Sequence, residues 1–161
     1  MSYTPRPGRF ICGATPNVEL VGDNIWRTME PIIYEDFQGT KYYAATGVLT
    51  DFSSIPWSLR WLMAKFGFRT PSTALAAGAV LHDLGYRQEW LTAISLGDSM
   101  NQYRRAFLGR DGFDELYCDC AATNDESRAV APWQARLLYW GLKIGGGVSW
   151  RRYRNEEELH V

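Results

Sequence analysis

Pro31-Ile32-Ile33-Tyr34-Glu35-Asp36-Phe37-Gln38-Gly39-Thr40-Lys41-Tyr42-Tyr43-Ala44-Ala45 decides the fold class. Two runs rich in β-branched and aromatic residues flank a short loop containing glycine, the pattern of a β-hairpin. Upstream, Val18-Glu19-Leu20-Val21 reads as another short strand, and Gly47-Val48-Leu49-Thr50 extends the sheet toward Asp51. From residue 57 the texture turns helical. Pro56 suits a helix start at Trp57–Phe66, which Gly67 stops. Thr70-Pro71-Ser72 then caps a helix over about Thr73–Tyr86. In that helix Leu75, Ala79, His82 and Tyr86 recur at i, i+4, i+7 and i+11 and share one face. Gly78 in mid-helix costs about 1 kcal/mol against alanine, so something is expected to pack closely there. Further helices are expected over about Leu96–Leu108, with Met100, Tyr103 and Phe107 on one stripe, over Phe113–Ala122, and over Pro132–Ile144. Gly109–Gly112 and Gly145-Gly146-Gly147 are read as breaks. The expectation is an α+β fold, with a small antiparallel sheet over about 18–50 packed on a helical half over about 57–144. It is read as one domain over 1–161, with an irregular N-terminal arm over 1–17 and a charged tail over 148–161.

Composition narrows the function. The 161 residues carry 17 basic and 18 acidic side chains, a net charge of -1, which argues against a nucleic-acid binder held by phosphate neutralisation. No apolar run approaches the ~20 residues needed to cross a bilayer. Arg6 and Arg9 are followed by no apolar h-region, so no signal peptide is expected. Cys12, Cys118 and Cys120 make an odd count, which reads as reduced thiols in a cytosol rather than as a zinc site. The 7 tryptophans imply a Trp-heavy core or a large contact surface.

The chemistry-bearing residues gather in two places. His82-Asp83 lies inside an apolar, small-residue helix, with Tyr86 one turn on. Neighbours in a helix sit about 100° apart, so the two side chains point into the same region without bonding each other. An imidazole that works as a base needs a carboxylate from another element to fix its tautomer. Asp98, opening the expected next helix, and Asp51, closing the strand, are the candidates. Asp51 is followed by Ser53 and Ser54 at a helix start, where binding groups collect and where Asp and Ser also serve as caps. The site expected is therefore His82, Asp83, Asp98 and Asp51, with Ser53, Ser54 and Tyr86 toward substrate. His82, Asp83 and Asp51 would also suit a divalent metal such as Ca²⁺, Mn²⁺ or Zn²⁺. A buried, structurally satisfied histidine is the alternative.

Leu49-Thr50-Asp51-Phe52-Ser53-Ser54-Ile55-Pro56 and Ala79-Val80-Leu81-His82-Asp83-Leu84-Gly85-Tyr86-Arg87 together resemble a phage and prophage family, domain-of-unknown-function family 1353, whose signature is T-D-F-[AS]-S-I-P followed by a helix ending in H-D-x-x-Y. The resemblance is close over about 47–87, looser at 96–108 and weak at 133–153. Gly109–Ala131 looks like an insertion relative to shorter members. It implies a phage or prophage gene, often near tail and lysis genes, and no activity. The H-D-x-x-Y helix is also similar to the active-site helices of secreted phospholipases A2. That likeness implies His82 as the base, Asp83 as a calcium ligand and Asp98 as the orienting acid. The flanking cysteines and glycine-rich calcium loop of those enzymes are absent.

Three functions follow as expectations. One is a virion protein of tail or baseplate, made in the host cytoplasm, oligomeric, with other phage structural proteins as partners. Another is a metal-assisted or phospholipase-like hydrolase acting on envelope lipid or cell wall. The last is a cytosolic factor binding a host protein; a nucleotide ligand is disfavoured because Gly145-Gly146-Gly147 follows a helix instead of opening one.

Overall fold

Strands β4 (Ile32–Glu35) and β5 (Lys41–Ala44) form the expected antiparallel hairpin, with Ile32 opposite Ala44, Tyr34 opposite Tyr42 and Glu35 opposite Lys41. Ile32, Tyr34, Tyr42 and Ala44 are buried, the period-2 alternation of a half-covered sheet. Asp36 builds the turn: its Oδ1 accepts from the backbone N–H of Gln38 and of Thr40, each at 2.9 Å. Gly39 takes φ +83° there, a conformation that glycine adopts without strain. In the computed structural model, residues 3–23, 25–52, 73–95, 102–123 and 130–158 are described.

The hairpin is the centre of a five-stranded antiparallel sheet. Its order is β1 (Arg9–Cys12), β4, β5, β7 (Leu91–Ile94), β8 (Arg104–Ala106). A second antiparallel sheet holds β2 (Val18–Gly22), β3 (Ile25–Thr28) and β6 (Leu49–Thr50). Three helices are described: α1 (Thr73–Gln88), α2 (Gly109–Ala121) and α3 (Pro132–Glu158). One core joins the sheet to α1 and α2 through Ile32, Tyr34, Val80, Leu81, Leu91 and Phe113. A second core lies among the helices, where Leu75, Tyr117, Leu138 and Leu142 pack together.

The structure confirms the α+β class and α1, and it changes several element assignments. The sheet is not confined to 18–50, and strands there divide between two sheets. The N-terminal arm is not irregular throughout: β1 forms an edge of the larger sheet, and Tyr3 is buried against Tyr139 with ring centroids 4.4 Å apart. The helix expected over Leu96–Leu108 is replaced, in its described part, by β8, which pairs with β7. Leu91 and Ala93 are buried while Tyr103 and Phe107 are largely exposed, so alternation along a sheet outweighs the helical spacing of the aromatic stripe. Residues 96–101, with Asp98 and Met100, lie outside the described residues, as does the helix expected at Trp57–Phe66.

Gly109 opens α2, and this helix, which begins the segment read as an insertion, is part of the core. Phe113, Asp114, Leu116, Tyr117, Cys118 and Cys120 of α2 are all buried. The last helix does not end at Gly145-Gly146-Gly147 but continues to Glu158. The reason is packing. A Cβ on Gly146 would come within 2.8 Å of the Tyr86 hydroxyl, and one on Gly147 within 3.2 Å of the Arg110 guanidinium. The run of glycines is a notch, and the contacts it admits offset a helix-propensity cost of about 1 kcal/mol per glycine.

Candidate functional site

Two glycines of α1 set the distance to α2. A Cβ on Gly78 would sit 2.8 Å from the Tyr117 ring and 2.9 Å from the Cys120 Cβ; one on Gly85 would sit 2.4 Å from the Phe113 ring. With the helices this close, the face of α1 that carries His82 and Tyr86 meets the face of α2 that carries Asp114 and Tyr117. His82, Asp83 and Asp114 are all buried.

Asp114 is the acid that orients the histidine. His82 Nε2 lies 3.0 Å from Asp114 Oδ1, and the Tyr86 hydroxyl donates to the same oxygen at 2.5 Å. Asp114 Oδ2 faces Arg110 Nε at 3.8 Å. An ionised carboxylate only accepts, so the hydrogen on the ring belongs on Nε2 and the lone pair on Nδ1. Nδ1 points the other way, 3.9 Å from Asp83 Oδ1. That is too long for a hydrogen bond, as helical neighbours 100° apart require. Asp83 is held by its second oxygen, which accepts from Thr50 Oγ1 at 2.6 Å; Thr50 Oγ1 in turn accepts from the Phe52 backbone N–H at 3.2 Å. The tip of β6 is thereby tied to α1. Phe52 carries φ +49°, a strained backbone for a bulky residue at the end of the T-D-F segment.

Among the described residues five buried polar side-chain atoms have no hydrogen-bond partner: His82 Nδ1, Asp83 Oδ1, Arg110 Nε, Asp114 Oδ2 and the Tyr117 hydroxyl. The Tyr117 ring stands 5.3 Å from the imidazole. Burial alone pushes the His82 pKa down, but Asp114 and Asp83 more than reverse it, and the net shift is upward. Burial raises the Asp83 carboxyl, against the pull of His82 and Thr50.

Of the residues read from the sequence, His82, Asp83 and Tyr86 meet. Asp51 makes no described hydrogen bond to them, but its charge acts on the Asp83 carboxyl and raises it further. It lies near Arg87, with 4.0 Å between Oδ1 and Nη2, and Arg87 also donates to the Leu49 carbonyl at 2.8 Å. Asp98, Ser53 and Ser54 lie outside the described residues. Among the described residues the carboxylate that meets the imidazole is Asp114, which sequence reasoning missed. Its signal was present: an acid at i, with Tyr117 at i+3 and Ala121 at i+7, stands in an otherwise apolar helical stripe. Among the described residues no three His, Cys, Asp or Glu side chains are placed to hold one metal ion, so the described set does not fit the expected His82, Asp83, Asp51 centre. Cys12, Cys118 and Cys120 are free thiols, and no described helix is long and apolar enough to cross a membrane.

No curated protein and no solved structure matches the chain. The match to the family described as "Protein of unknown function (DUF1353)" runs over residues 26–141. It takes in the T-D-F tip, the H-D-x-x-Y helix and the whole of α2 with Asp114, and on that match the chain belongs to the DUF1353 family.

Proposed function

We propose that this protein is a phage- or prophage-encoded hydrolase of acyl esters in which His82 is the general base. The observation that carries the reading is the Tyr86–Asp114–His82 relay, with Nε2 bound and Nδ1 left unpartnered beside Asp83. Fixing one ring nitrogen on a carboxylate leaves the other as a base of defined direction. The arrangement supports the likeness to phospholipase A2 helices, with Asp114 in the role first expected of Asp98. In the reaction, Nδ1 takes a proton from water and the oxygen attacks the ester carbonyl. The imidazolium is stabilised by Asp114, and it returns the proton to the departing alkoxide, giving acid and alcohol. The resemblance of the two motifs to a phage family supports a virion-associated product.

A second reading rests on burial. His82 is 1% exposed, and the same contacts would serve as a polar network pinning β6 to α1 and α2. The two readings part on one assay. Purified protein is given a fluorogenic acyl ester and phosphatidylglycerol mixed micelles, and fatty-acid release is followed beside the melting temperature. The hydrolase reading predicts turnover that falls about 10²–10⁴-fold in His82→Gln. Absence of turnover in the wild type on both substrates, with His82→Gln changing only the melting temperature, leaves the network reading.

A further inference from the structure

We propose that α3 docks the protein on an anionic phospholipid surface. Its inner side packs on α2 and α1 through Leu138, Leu142 and the Gly146 notch. Its outer side carries Trp133 (54% exposed), Trp140 (52%), Ile144 (84%) and Val148 (69%). At 100° per residue these four fall within about 80° of one another, in a stripe about 22 Å long. A row of large apolar groups of this length, each more than half exposed, marks an interaction surface.

Charge selects the occupant. Over its first 24 residues, Pro132 to Asn155, the helix has Arg136, Lys143, Arg151, Arg152 and Arg154 and no acidic residue; its acids, Glu156, Glu157 and Glu158, are confined to the last three positions, beyond the apolar stripe. Arg151 continues the stripe, Arg136 flanks it, and both are exposed. Lys143 is engaged by Asp111. Tryptophans and aliphatics on one face with arginines beside them suit a helix lying in a headgroup layer, and tryptophan is favoured at that depth. The helix lies on the surface and does not span it, since it lacks the apolar length to cross.

The inference does not need the hydrolase reading, though a lipid surface would bring ester substrate to the same molecule. The test is flotation with phosphatidylglycerol vesicles and with pure phosphatidylcholine vesicles, together with tryptophan emission. The full chain is expected to float with phosphatidylglycerol, with a blue-shifted emission, and to release in high salt. Trp140→Ser/Ile144→Ser should weaken partition about tenfold or more. Arg136→Glu/Arg151→Glu should weaken it by a similar factor on phosphatidylglycerol only. His82→Gln should bind like the wild type, which separates this claim from catalysis. Three results would overturn it: no flotation of wild type with either vesicle; flotation that both double variants retain; or a wild-type oligomer that Trp140→Ser/Ile144→Ser converts to monomer, which would assign the stripe to a second copy.

Discussion

His82 is held between two carboxylates that act on different nitrogens. Asp114 and Asp83 raise its pKa against burial, so the ring must lose a proton at higher pH than a free histidine, whose value is about 6.5. Two outcomes follow. Hydrolysis should rise with pH through an apparent pKa above that value, and Asp83→Asn should move the midpoint down. For stability the sign is opposite. A group with a raised folded pKa stabilises fully below about 6.5 and loses that contribution as pH climbs through the folded value. The melting temperature should therefore fall over that interval, and His82→Gln should flatten the fall. Asp114→Asn keeps the shape but replaces an acceptor-only carboxylate with a neutral amide, which no longer fixes the tautomer or stabilises the imidazolium, and should lower kcat by about 10²–10⁴ with little change in KM. At this scale the sequence exposes what one helix holds together: His82, Asp83 and Tyr86 follow from spacing alone. Asp114 is 32 residues from His82, and no local period links two positions on separate helices.

Elements meet at this site because glycines permit it. Gly85→Ala would gain up to about 1 kcal/mol of helix propensity. Its Cβ would also collide with the Phe113 ring at 2.4 Å, and Phe113 is wholly buried. Overpacking of that kind costs about 1–3 kcal/mol, so the net change is destabilising and should appear as a lower denaturation midpoint. Gly78 was legible as a close approach, and it is one. The Gly145-Gly146-Gly147 run read as a stop because propensity is a local quantity. What overrides it is the Tyr86 hydroxyl and the Arg110 guanidinium, which donates to the Leu142 and Lys143 carbonyls at 3.0 and 2.7 Å. The strands at 91–94 and 104–106 escaped for the same reason: β7 is a strand because β5 lies beside it.

Across the whole molecule, distant segments lock onto the helices. Tyr3 stacks on Tyr139 of α3 and donates to Asp119 of α2 at 2.5 Å, while the Arg6 backbone N–H donates to the same oxygen at 2.8 Å. Tyr3→Ala removes a buried ring and leaves Asp119 short of a donor, and should cost about 3–5 kcal/mol in chemical denaturation. Nothing in the composition of the first 17 residues marks that anchor, since prolines and glycines there interrupt any periodic pattern. The free thiols divide by depth. Cys118 and Cys120 are buried, and burial pushes both thiols up, whereas Cys12 is partly exposed. In the native protein a thiol reagent should modify Cys12 alone, with Cys118 and Cys120 reacting only on unfolding. The most direct test of the oriented base is long-range ¹⁵N–¹H NMR of the imidazoles across pH, simplified by there being only 2 histidines. The account predicts that neutral His82 carries its proton on Nε2 and titrates above the free-histidine value. A neutral ring protonated on Nδ1, or one that stays uncharged at pH 5, would contradict it.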